Sequence, residues 1–154
     1  MRLLIAAICC LVLSTPAIAR PVRVWTYDDL LKEADVVAIV KVTKVADTKV
    51  PLAGHGDPKQ YQGKRADAIV GLMLKGEGRP SLAFDFFRYA PDTSSPPNGA
   101  LFADVSKADT AHYLVFLKRL DDGSLVPVSG HYDAQVSIRE MSAQGLIEIK
   151  EKAK

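Results

Sequence analysis

The chain is poor in the residues that most often carry chemistry. Among 154 residues it has two cysteines, three histidines, one tryptophan and only five glutamates. Both cysteines, Cys9 and Cys10, lie near the amino terminus, so the rest of the chain can form neither a disulfide nor a thiolate metal site. There is no G-x-S-x-G elbow and no later cysteine nucleophile. The shortage of glutamate narrows paired-carboxylate schemes, although aspartate pairs stay open. An excess of one charge is also missing. Lys and Arg number 20 against 18 Asp and Glu, for a net charge of +2, and the signs are interspersed. Nucleic-acid binding calls for a basic block that this chain does not have, so no nucleic-acid partner is expected. No cofactor motif is found and none is expected.

What is present begins with an export signal. Met1-Arg2 supplies one positive charge, and Leu3 to Leu13 is an unbroken apolar run. Pro16 then interrupts any helix, and Ala17-Ile18-Ala19 offers the small-x-small pattern of a cleavage site. The run is well short of the roughly 20 residues a membrane span needs. Lipidation is disfavoured because Ile8 and Cys9, not small residues, precede the two cysteines. Cleavage after Ala19 makes residues 1–19 a signal peptide and 20–154 a single cysteine-free domain in the periplasm or secreted medium. No membrane span remains after cleavage.

The mature part reads as mainly β. Thr26 can cap a short helix, about Tyr27 to Ala34, with Asp29 completing a capping box and Trp25 stapling onto Leu30. Tyr27, Leu30, Leu31 and Ala34 share its apolar face. Val36 to Val45 follows as a strand. It is apolar at every position at first, as if buried on both faces, then alternates with Val40 and Val42 opposed to Lys41 and Thr43. Residues 46–65 are a turn-rich loop. Ala66 to Lys75 is a second strand with Ala68, Val70, Leu72 and Leu74 on one face and a bulge expected at Gly71. Ser81 to Tyr89 is a third, with Leu82, Phe84 and Phe86 facing inward and Asp85, Phe87 and Tyr89 outward. Residues 90–111 form a long connection that Leu101, Phe102 and Val105 can pin down. His112 to Leu120 and Leu125 to Val128 flank an Asp122-Gly123 hairpin turn. Gln135 to Arg139 is read as a fifth clear strand region with Val136 and Ile138 inward, and Leu146 to Lys150 as a short edge strand. One short helix and five or six strands without a βαβ rhythm indicate a small five-stranded barrel.

That order resembles small exported bacterial OB-fold domains similar to the netrin-like and tissue-inhibitor-of-metalloproteinase-like domains. The resemblance rests on the helix ending Leu30 to Asp35, the strand Val36 to Val42, the strand ending Leu74-Lys75-Gly76, His112 to Lys118, the Asp-Gly turn, and Pro127 to Gly130. It covers about residues 25 to 140. It implies an OB-fold-like barrel with one short amino-terminal helix, and no common activity. The inhibitors' zinc-chelating amino-terminal cysteine has no counterpart, because the expected mature chain begins Arg20-Pro21-Val22.

Three functional readings follow. The first is a non-enzymatic exported domain that binds a protein or envelope component through Phe87 and Tyr89, the outward aromatics of the third strand. The second is a metal-binding protein or metal-dependent enzyme. If His131-Tyr132-Asp133 is extended, His131 and Asp133 share one face at ligand spacing, but further ligands are required. The third is a protease inhibitor, by fold analogy alone. Ser129 and His131 are two apart, yet no orienting acid or oxyanion hole is identifiable. His55, in a glycine-flanked loop, and His112, opening a strand, read as surface and strand-end residues.

Overall fold

The computed structural model describes residues 23–48, 60–93, 99–105 and 111–142. The signal segment, His55 and the edge strand expected near Leu146 lie outside these residues. Helix α1 (Tyr27–Glu33) starts as expected: the Thr26 hydroxyl accepts from the Asp29 amide at 3.1 Å, and the Asp29 carboxylate accepts from the Thr26 amide at 3.1 Å. Its buried stripe is narrower than the sequence implies. Leu30 and Ala34 are buried, whereas Tyr27 and Leu31 are about half exposed. The C-terminal carbonyls find a cation, because Lys75 Nζ donates to Leu31 O at 2.8 Å.

The strands are β1 (Val36–Asp47), β2 (Tyr61–Lys75), β3 (Ser81–Tyr89), β4 (His112–Arg119), β5 (Leu125–Pro127) and β6 (Ile138–Met141). They form one antiparallel sheet in the order β3-β2-β1-β4-β5, with β6 also on β4. β5 pairs with Leu117 to Arg119 and β6 with His112 to Val115, so two short strands lie end to end along one edge of β4. The expected closed barrel is not what the ladders make. β3 and β5 come near each other, but no ladder joins them among the described residues. The loop expected over 46–65 is shorter than it reads, since β1 runs to Asp47 and β2 begins at Tyr61.

Burial along β1 explains its composition. Val36, Ala38, Val40 and Val42 enter the main core with Phe84, Phe86, Tyr113, Val115 and Leu117. Val37 instead meets Leu30, Ala34 and Phe116, with Trp25 packed against them. The first half of β1 therefore needs apolar side chains on both faces, because α1 covers the second one. Lys41 and Thr43, past the helix, are exposed.

On β2 the bulge at Gly71 is real. Val40 pairs Val70 and Ile39 pairs Leu72, which leaves Gly71 unpaired. The extra residue flips the phase of the strand. Met73, not Leu72, then joins Val70 against the core, and Leu74 is 50% exposed at a further register shift. The alternation Ala68-Val70-Leu72-Leu74 is thus corrected by one inserted residue. Next to it, Gly76 turns the chain toward β3 with φ 101°, and a Cβ there would lie 2.9 Å from Asp35 O. Gly76→Ala is expected to cost about 1–2 kcal/mol from the backbone conformation alone, read as a lower denaturation midpoint with unchanged far-UV dichroism. The Asp-Gly hairpin also forms as read: Gly123 has φ 84°, and Asp122 accepts from the Ser124 amide at 2.9 Å.

One strand assignment is overturned. Residues His131–Asp133 form a 3-10 turn and Ala134–Ser137 a single helical turn, α2, before β6 begins at Ile138. Val136 and Ile138 do both turn inward, but toward different clusters. Val-Ser-Ile alternation over so few residues does not separate a strand from a helical turn.

Candidate functional site

All four residues singled out from the sequence fall in one region, where the second face of β3 meets two other segments. Paired positions in the β2–β3 ladder place Tyr61 opposite Tyr89, Gly63 opposite Phe87 and Arg65 opposite Asp85. This face is roofed by the stretch 99–105 and the turn His131–Asp133. The two roof segments are stitched together: Leu101 N donates to Tyr132 O at 2.6 Å and Gln135 N to Leu101 O at 3.1 Å. Val105 anchors the stretch in the main core, while Leu101, expected to help pin it, is 49% exposed.

The roof corrects the placing of Phe87 as an outward contact residue. Phe87 is 1% exposed, because the His131 ring stands edge-on against it with centroids 4.3 Å apart. Tyr89 is half-buried. It joins Tyr61, Phe102 and Tyr132 in a cluster of four rings, with Tyr89–Phe102 at 4.9 Å and Tyr61 within 5.7 Å of each of the others. Tyr61, Phe102 and Tyr132 were not legible as partners from the sequence. Three different segments supply them, and only the register of the β2–β3 ladder and the path of the roof bring them together.

Beneath the turn, Asp85 is almost fully buried and takes two parallel bonds from Arg65, Nε and Nη2 each at 2.7 Å. The Asp85 hydrogen bonds, and then its charge, raise the affinity of the Arg65 guanidinium for its proton. On the other face of β2, Lys64 is buried beside Phe86 in the ladder and pairs with Asp47.

His131 and Asp133 do not share an extended face, because the turn that carries them is helical. The Asp133 carbonyl accepts from the Ser129 hydroxyl at 2.7 Å, and the Ser137 hydroxyl donates to Ser129 Oγ at 2.7 Å. These bonds tie both ends of the turn together. They also commit the Ser129 hydroxyl to a backbone carbonyl rather than to His131. Among the described residues, no three His, Cys, Asp or Glu side chains converge as a metal would require.

His131 Nδ1 is buried without a hydrogen-bond partner. Burial lowers the pKa of His131 below its ordinary value of 6.5, and the nearby Asp85 charge partly opposes this. The folded state therefore binds the His131 proton less readily than the unfolded chain does. The resulting stability is full above pH 6.5 and is lost as pH falls through that value toward the lower folded one. The difference in denaturation midpoint between wild type and His131→Gln is expected to shrink or reverse on going below pH 6.5. A difference that is flat with pH would remove His131 as the source.

Beside this region lies a surface cleft of about 580 Å³ between the 101–104 stretch and the surface formed by β4, α2 and β6. No helix among the described residues is long and apolar enough to cross a membrane. No protein-family model, curated protein or solved structure matches the chain.

Proposed function

We propose that the chain is an exported, non-enzymatic OB-fold-like domain that binds another protein of the cell envelope. The single observation that carries the binding reading is the cluster of Tyr61, Tyr89, Phe102 and Tyr132. All four rings are only partly buried, and three carry hydroxyls, with the exposed Leu101 next to Phe102 in the chain. Rings with an apolar body and a polar tip are favoured where a surface is alternately wet and covered. The contact surface is thus centred on Tyr89, with Phe87 as its buried support. The OB-like part of the reading is supported by the strand order and by the approach of β3 to β5, the pair a closed five-stranded barrel would join. Export is supported by the amino-terminal pattern of residues 1–19.

Immobilised protein is expected to retain a defined envelope protein, and Tyr61→Ser/Tyr132→Ser is expected to release it while far-UV dichroism stays unchanged. Identical retention by wild type and variant would exclude the patch. Amino-terminal sequencing of the cell-derived protein is expected to begin at Arg20; a retained Met1 would exclude export by cleavage. The metal reading through His131 and Asp133 lacks a third ligand among the described residues, and the inhibitor reading has fold analogy alone.

A further inference from the structure

Three of the chain's five tyrosines stand together in the ring cluster. Tyr61 is their hub, with its ring centroid 5.7 Å from that of Tyr89 and 5.7 Å from that of Tyr132. All three residues are half-buried. The other two tyrosines differ in ways that matter for oxidation. Tyr113 is 1% exposed, out of reach of a bulky oxidant. Tyr27 is 54% exposed, but it packs against Phe116 and the Arg139 guanidinium, and no tyrosine stands beside it among the described residues. Past Cys10 the chain has no thiol to intercept an oxidant. Trp25, the other readily oxidised ring, belongs to the second core cluster, with Arg23 over it.

Geometry selects one pair of the three. Oxidative coupling of two phenols joins the ring carbons next to each hydroxyl, which holds the two Cβ atoms well apart. Tyr61 and Tyr89 are directly opposite in the β2–β3 ladder, where Cβ atoms lie about 4.5–5.5 Å apart, too close for that bond to span. Tyr89 is also tethered, because its hydroxyl donates to Ala100 O at 3.3 Å. Tyr132 comes from the turn His131–Asp133 and shares no ladder with Tyr61. Their rings meet at 81°, so rotation of one ring about its side-chain bonds brings the two edges together.

We propose that Tyr61 and Tyr132 form a dityrosine site, coupled by a haem peroxidase acting with hydrogen peroxide. Each phenol gives up one electron and its hydroxyl proton to become a phenoxyl radical. The two radicals form one carbon–carbon bond. The hydrogen on each bonded carbon then leaves as a proton, and each oxygen regains one. The pair loses two hydrogens in all, and one peroxide becomes two waters. The bond ties the roof to β2 and closes the loop between residues 61 and 132, which restricts the unfolded chain as a disulfide does.

The test uses the purified protein alone and does not depend on the partner-binding reading. Dilute protein is treated with peroxidase and hydrogen peroxide, and the monomer is isolated and digested. It is expected to be two hydrogens lighter, to show dityrosine fluorescence, and to yield one linked peptide pair holding Tyr61 and Tyr132. Tyr61→Phe and Tyr132→Phe keep a ring in place and are each expected to abolish the monomer fluorescence, whereas Tyr89→Phe and Tyr27→Phe retain it. The linked monomer is expected to unfold at higher urea than the untreated protein. A monomer of unchanged mass, a link mapped to any other pair, or coupling confined to dimers would overturn the proposal. Oxidation of Trp25 with Tyr61 and Tyr132 left unlinked would do the same.

Discussion

Phe87→Ala is expected to lower the unfolding free energy by about 3–5 kcal/mol, whereas Tyr89→Ala is expected to cost clearly less. The two residues are next-but-one neighbours on the same face of β3, and an exposed aromatic pair would predict similar, small effects. Phe87 instead sits under the His131 ring and is 1% exposed. Truncating it removes a full side chain's burial and leaves a void beneath a turn that Ser129 and Ser137 hold in place. Tyr89 is half-buried, with Tyr61 and Phe102 as ring neighbours and part of its ring open to water. Urea denaturation of both variants checks this. Equal losses would mean that the turn does not roof Phe87 in solution. The result also decides how binding variants are chosen. A Phe87 substitution that abolishes partner capture would report unfolding, so the contact surface has to be tested through Tyr61 and Tyr132.

The second large effect is expected at Arg65. Only 3% of the Asp85 side chain is exposed, against 50% for Arg65. Arg65→Met leaves a carboxylate in the protein with neither its counter-charge nor two of its hydrogen bonds. Removing one partner from a buried pair costs about 3–5 kcal/mol. Water reaching the half-exposed Arg65 position brings the expected loss down to about 2–3 kcal/mol. Arg65→Met/Asp85→Leu is expected to recover part of it, because the stranded charge is then gone. Arg65→Lys keeps the charge but loses the two-point geometry, and falls between. A double variant less stable than Arg65→Met would show that Asp85 is needed for more than its pairing with Arg65. The same carboxylate partly holds up the proton affinity of His131. Asp85→Asn is therefore expected to steepen the loss of stability on acidification that runs through His131.

Much of this fold is readable from local pattern. The switch in β1 from continuous apolar to alternating marks the point where α1 stops covering its second face. Thr26, Asp29 and Trp25 specify the helix start, and Asp122-Gly123 specifies the hairpin. Gly71 is readable as a bulge, but the phase it imposes on Leu72 and Met73 requires the partner register on β1. The site is less readable for the same reason. Whether Phe87 faces water or protein depends on where residues 99–105 and 131–133 return, and no feature of Ser81 to Tyr89 records that. Alternation predicts a covered and an open face on β3, while Phe84, Asp85, Phe86 and Phe87 are all buried. His131 and Asp133 share a face only if their segment is extended, and nothing in His131-Tyr132-Asp133 itself distinguishes that from the helical turn that the Ser129 and Ser137 hydroxyls tie together.

The sheet order also bears on how the chain reaches its native state. β1, β2 and β3 are successive partners, so each can zip onto the one before it as a meander. β1 and β4 are not. Their ladder joins Val36 to Leu117 and Lys41 to His112, across the whole of the meander and the connection that follows. The entropy of closing that loop must be met before the ladder returns any contact. The central strand is therefore completed late, and both β5 and β6 wait on it, since among the described residues each pairs with β4 alone. Until then the apolar edge of β1 is open to other chains, and the refolding yield at high protein concentration is set by how quickly β4 arrives.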